Sequence, residues 1–258
     1  MSRAALWTLL LAWVGGFVDA VGFLALFELF TAHMSGNSVW LGASFGLGDW
    51  RLGLHHLFPI PLFVVGVAVG TTMVELARQR RVRAPFVAPL LLEAVLLAGF
   101  MLAGSAFVVD GALRPQTVWA FYLLAALPAL AMGLQNATLR RVAGQTLHTT
   151  YITGALQSFA EDGVHYLFWL REQTRAAGYR RALRGSPAQP ALRAAAASAL
   201  LWLAYVAGAV SGGFSKHEWE LHALILPLGV LAVIVAVDIA RPGEVADDQR
   251  RWARTNPP

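Results

Sequence analysis

Recurring apolar runs of about 20 residues, broken by short polar connections, constrain this chain more than any other feature. A helix rising ~1.5 Å per residue needs such a run to cross ~30 Å of hydrocarbon. Spans are expected at about 4–22, 59–76, 86–109, 117–139, 194–214 and 221–240. Composition agrees: 57% of residues are hydrophobic and 14% charged, against roughly 25% charged in soluble domains, and the mean hydropathy is +0.56. Strand alternation is absent, which argues against a barrel. The expected fold is an all-α integral membrane protein, with a single transmembrane domain over 1–240 and a polar, proline-ended tail over 241–258. The first run continues past Asp19 with no small-x-small cleavage site before a polar region, so it reads as an uncleaved span rather than a signal peptide.

Two further segments are ambiguous. Ser38 to Gly48 is short and glycine-rich, and Thr150 to Leu170 carries Glu161 and Asp162 at its middle. Arginine placement helps, because basic residues gather on the cytoplasmic side of short loops. If neither segment crosses, both termini lie inside, and all but Arg51, Arg114 and Lys216 of the 20 basic residues fall on the cytoplasmic side. If both cross, Arg140 and Arg141 are forced opposite the Arg78 to Arg83 and Arg171 to Arg193 clusters. Six spans are therefore expected. A seven-span variant, with only Ser38 to Gly48 crossing, costs just the placement of Arg3. The polar connection over 171–192 reads as a cytoplasmic loop, solvated or lying in part as a basic helix on the anionic leaflet.

The chain also repeats itself. Phe17 to Asn37 (FVDAVGFLALFELFTAHMSGN) shares its order of features with Leu134 to Ala155 (LQNATLRRVAGQTLHTTYITGA). Asp19-Ala20 matches Asn136-Ala137, and His33-Met34-Ser35-Gly36 matches Tyr151-Ile152-Thr153-Gly154. Downstream, Gly66 and Gly70 correspond to Gly208 and Gly212, spacings that suit close helix packing. Repeats over about 1–110 and 117–240, with three spans each, must enter the membrane in opposite senses. Inverted halves with discontinuous or re-entrant helices between them are a recurrent transporter architecture.

Polar groups within hydrocarbon are costly, so each is a candidate for function. Asp19 reads either as a proton or cation site or as an interhelical hydrogen-bonding group, with Gln135 and Asn136 at the matching place. His33, Ser35, Gly36 and Asn37, with their echo Thr150, Tyr151, Thr153 and Gly154, form turns of hydroxyls and glycine before a new apolar segment. Such turns aim backbone N–H groups and a helix N-terminus into a cavity, suiting an anionic group or a carbonyl, or else merely cap a surface loop. Glu93, Glu161 and Asp162 rank second. Glu75 and Asp238 sit beside arginines near span ends and read as interfacial pairs.

Other classes are not indicated. There is no cysteine, the seven histidines form no ligand set, and no nucleophile elbow, phosphate loop or zinc-protease motif is present. Neither an enzyme nor a cofactor is expected, and the +5 charge is explained by topology before nucleic acid.

The strings VDAVGFLALFELFTAHMSGN and MGLQNATLRRVAGQTLHTTYITG resemble the two hallmark segments of the YoaK-like bacterial membrane proteins, a domain of unknown function. The likeness covers nearly the whole chain and departs from the usual pattern at Ser35, where the family commonly has threonine. It implies a multi-spanning inner-membrane protein of six or seven helices, with no substrate or reaction attached. The function expected is a small secondary transporter or permease with an unidentified small molecule or ion as substrate. The alternative is a non-transporting scaffold or sensory partner acting through its cytoplasmic loop.

Overall fold

The computed structural model describes residues 3–26, 28–109, 112–113, 118–142 and 151–241. It is an all-α membrane protein. The helices are α1 (Arg3–Ala25), α2 (Met34–Gly46), α3 (Trp50–Leu57), α4 (Pro59–Gln79), α5 (Val87–Phe107), α6 (Val118–Val142), α7 (Tyr151–Ala177), α8 (Tyr179–Gly185), α9 (Pro190–Trp219) and α10 (Ile225–Ala240). A two-residue antiparallel ladder, β1 (Val108–Val109) with β2 (Ala112–Leu113), follows α5.

Among the described residues, five stretches are long and apolar enough to cross a membrane: Arg3–Ala25, Trp50–Gln79, Val87–Phe107, Trp119–Thr138 and Pro190–Ala240. The last is 51 residues long and contains both α9 and α10, parted by a 3-10 turn at Glu220–Leu224. Four of the six segments read as spans from the sequence fall within these stretches, and the other two, 86–109 and 117–139, overrun Val87–Phe107 and Trp119–Thr138 by one or two residues at each end. At 13 residues α2 reaches only ~20 Å, too short to cross by itself. It folds back on α3, whose start Asp49 caps by accepting a hydrogen bond from the Leu52 amide at 3.0 Å. Phe45 packs on Trp50, and Trp40 stacks on His56 with ring centroids 5.3 Å apart.

Two close crossings organise the bundle. Where α1 meets α9, Gly16 lies against the Tyr205 carbonyl, while Gly208 and Gly212 lie against the backbone of Trp13 and Phe17. Where α4 meets α6, Gly66 lies against the Leu130 carbonyl, Gly133 against the Phe63 carbonyl, and Gly70 against Leu134 and Ala137. A Cβ at either crossing would run into backbone, so these glycines set the distance between helices. Glycine spacing is what lets helices meet this closely in lipid, where no hydrophobic force draws them together. Leu11, Phe17, Leu90, Leu97, Phe100, Leu124 and Leu231 fill the core that the crossings enclose.

The ambiguous segment around Glu161 forms the long helix α7, packed on α9 and not among the apolar stretches. Residues 171–192, expected as a loop, are largely helical. They continue α7, form α8 and enter α9, with Tyr166 donating to the Ser186 hydroxyl at 2.8 Å.

Candidate functional site

The site begins with the way α1 ends. Glu28 takes a left-handed conformation (φ 63°) after the last turn of α1, which reverses the chain so that Thr31, Ala32 and His33 return alongside Asp19. Asp19 is 3% exposed and lies beneath this turn. Its Oδ1 accepts from the Thr31 amide at 2.7 Å, the Thr31 hydroxyl at 3.1 Å and the Ala32 amide at 2.8 Å. Its Oδ2 pairs with His33 Nδ1 at 2.6 Å and accepts from the Tyr205 hydroxyl at 2.8 Å. The Tyr205 oxygen also lies 3.1 Å from His33 Nδ1.

Backbone N–H groups in this turn do bind an anion, and the anion is the chain's own carboxylate. That differs from the sequence expectation of N–H groups presented to a ligand. Five donors fill the acceptor capacity of a carboxylate, which has about four lone-pair sites. Asp19 therefore acts here as a buried charged clamp tying α1, the turn and α9 together. His33 lies in the connection between α1 and α2, with its side chain 33% exposed. Its hydrogen bond to Asp19 pushes the imidazole above its ordinary value, against the opposing effect of burial.

Asn37 and Gly36 support the same turn. The Asn37 side chain closes on the Phe30 backbone from both sides, accepting from its amide at 3.0 Å and donating to its carbonyl at 2.7 Å. Gly36 lies under the Phe30 ring, where a Cβ would come within 2.7 Å of it. The His56 ring nitrogen is 3.5 Å from Asn37 Oδ1, which links the turn to α3.

A cavity of about 230 Å³ opens beside this clamp. From the first motif it is lined by Ala32, His33, Met34 and Ser35, and from the echo by Gln135, Asn136, Ile152 and Thr153. Leu11, Ala12, Gly15, Phe63 and Tyr205 complete the wall. The two stretches that sequence comparison placed in parallel thus meet at one space. Asn136 does not reproduce the role of Asp19, since its amide donates to the Met132 carbonyl of its own helix at 3.0 Å. Gln135 instead donates to Glu93 at 3.0 Å.

Of the remaining candidates, Thr150 lies outside the described residues, as does the side chain of Tyr151. Gly154 is on the first turn of α7 and is not among the cavity-lining residues. On α7 Glu161 is exposed and Asp162 half-buried, and Gln157 donates to Glu161 at 2.9 Å. Sequence reasoning missed Tyr205, and it took Thr31 only as a capping hydroxyl of the first motif. The signal for Tyr205 is its place three residues before Gly208, the same place Phe63 holds before Gly66; both line the cavity. Among the described residues, no group of three or more His, Asp or Glu is arranged to hold a metal ion.

Residues 7–237 match the family described as "Protein of unknown function (DUF1275)". The chain belongs to this family. It is 29% identical over 164 residues to the UPF0700 transmembrane protein YoaK of Bacillus subtilis (strain 168), a match covering 64% of this chain and 69% of that protein. No solved structure matches. The DUF1275 match takes in both motifs, Tyr205 and every residue described above as lining the cavity.

Proposed function

We propose that this DUF1275 protein is a small secondary transporter or permease of the bacterial inner membrane, carrying a small polar solute or ion through the cavity between its two motifs. The observation that carries the reading is that one space is lined jointly by Ser35 and His33 from one motif and by Gln135, Asn136 and Thr153 from the other. Apolar walls with a few convergent polar groups are the usual make-up of a small-molecule site.

The halves are read as inverted repeats with both termini cytoplasmic. The glycine crossings support this: Gly16 and Gly133 stand three residues before Asp19 and Asn136, and each lies at the crossing with a helix of the other half that carries a Gly-x-x-x-Gly pair, α9 and α4 respectively. Sites at the interface of such repeats, bounded by broken helices, are where secondary transporters hold their substrates. The short helix α2, which folds back on the start of the Trp50–Gln79 stretch, supplies a discontinuous element of this kind.

A non-enzymatic role is part of this reading and rests on the sequence, which carries no nucleophile elbow, phosphate loop or zinc-protease motif.

Uptake and efflux in proteoliposomes across a panel of small polar compounds test the reading, comparing wild type with Asp19→Asn and Gly36→Leu. Flux in the wild type that both substitutions abolish is expected. Flux that survives both would remove the cavity from the pathway.

A second reading, a membrane scaffold or sensory partner acting through residues 171–192, draws on the order of that stretch. Tyr166 stacks on Trp169 and bonds to Ser186, fixing a basic surface of Arg180, Arg181 and Arg184. Deleting this stretch should then abolish a partner crosslink in a protein that still folds, and an unchanged crosslinking pattern would count against it.

A further inference from the structure

Glu93 is the second carboxyl buried beside the cavity, and its surroundings are the opposite of those of Asp19. It interrupts the buried stripe Leu90, Leu97, Phe100 and Gly104 that α5 turns toward the core, and it is 0% exposed. One hydrogen bond reaches it, from Gln135 Nε2 to Glu93 Oε1 at 3.0 Å, and its Oε2 has no hydrogen-bond partner. The elements packed on α5 bring Glu75 and Arg78 on α4, Asp238 on α10, and Glu220 and His222 in the turn before α10. None of these described groups hydrogen-bonds to Glu93.

An ionised carboxylate in hydrocarbon, with three of its about four acceptor sites empty, is costly. The neutral acid is far less so. Asp19 can hold its charge because five donors surround it, whereas Glu93 has one. The single donor is itself placed at the cavity wall. Gln135 lines the cavity, and its Oε1 lies where a Cβ on Gly15 would come within 3.0 Å. One end of this amide therefore touches the buried acid and the other faces the space between α1 and α6.

We propose that Glu93 is a proton-binding site of the membrane domain, with Gln135 as the gate between its carboxyl and the cavity. In the described conformation the proton is on Oε2, and Oε1 accepts from Gln135 as a carbonyl does. Release transfers that proton to a water molecule admitted through the cavity when Gln135 turns aside, leaving a carboxylate that the same amide can hold. Uptake is the reverse step, from water on the other side of the membrane. As the coupling site of a carrier this assignment rests on the transport reading. As a proton site reached from the cavity it stands independently.

Infrared spectroscopy of the full chain in lipid vesicles tests it without a substrate. A protonated-carboxyl C=O band at neutral pH is expected in wild type and should be missing from Glu93→Gln. On transfer to D₂O that band should shift as its proton exchanges. Gln135→Leu or Gln135→Met should change the exchange rate by about tenfold or more, the equivalent of ~1.4 kcal/mol in the gating step. Dicyclohexylcarbodiimide, which attacks protonated carboxyls in apolar surroundings, gives a second reading on the unaltered protein: added mass is expected at Glu93 and not at Asp19. A wild-type band that persists in Glu93→Gln, no modification of Glu93, or exchange indifferent to both Gln135 variants would overturn the proposal. Failure of every compound to cross proteoliposomes, with the band and its exchange intact, would count against transport and leave the proton site standing.

Discussion

Replacing Asp19 by asparagine keeps the shape of the clamp and changes its chemistry. The remaining carbonyl oxygen can still accept from Thr31 and Ala32, but an NH₂ now stands where Oδ2 met His33 and Tyr205 at 2.6 and 2.8 Å. Two charge-assisted hydrogen bonds are lost, each worth about 1.5–3 kcal/mol. The lower end applies, because His33 is one-third exposed and can shed its proton to water, and the tyrosine hydroxyl can rotate to accept from the new amide. The expected cost is therefore about 3 kcal/mol. For a protein of this size that lowers Tm by roughly 6–12 °C. Tryptophan fluorescence melts in a single detergent measure it. A double-mutant cycle with Tyr205→Phe should return coupling of about 1 kcal/mol or more, since both residues share one bond. An Asp19→Asn variant melting within about 1 °C of wild type would refute the idea that this carboxylate clamps the turn.

Three other outcomes follow from the same geometry. Asn37→Ala strips partners from both the amide and the carbonyl of Phe30, and should cost about 2–4 kcal/mol in the same melts, the lower part of the about 1–3 per group that a bare buried backbone group costs, because Phe30 is only part-buried. Gly16→Ala drives a methyl into the Tyr205 carbonyl and should cost about 1–3 kcal/mol, whereas Gly42→Ala, with open space around it, should be nearly silent. Because Asp19 raises the affinity of His33 for its proton, the pair's contribution is complete below pH 6.5 and fades as pH rises through the higher folded value. Wild-type Tm should fall across that window relative to His33→Gln.

The spans were legible because their signal is length and hydropathy alone. The motifs were legible because a polar turn repeated in a second apolar context is improbable by composition. What the turn does was not legible. The donors to Asp19 are amides 12 and 13 residues away, brought back by a left-handed residue, Glu28, of a type that gives no warning of that conformation. Tyr205 was hidden for another reason: a single hydroxyl in an apolar run has many possible partners, and its own is 186 residues distant. Glu93 was visible as a carboxyl in a span, but its isolation is a fact of packing. The stretch 171–192 reads as polar loop because its helices are short and basic, and α8 is held by packing on α7 and by the hydrogen bond from Tyr166 to Ser186 just past its end.

Transport requires the cavity between the motifs to be a passage with two entrances. The chain has no cysteine, so Ser35→Cys and Thr153→Cys each place a single thiol on opposite motifs at that cavity. Sealed vesicles of known orientation, treated with a membrane-impermeant thiol reagent from one face at a time, measure access directly. A carrier predicts that both thiols react from both faces and that a transported solute slows both together. Reaction of either thiol from one face only, under every gradient applied, would contradict it.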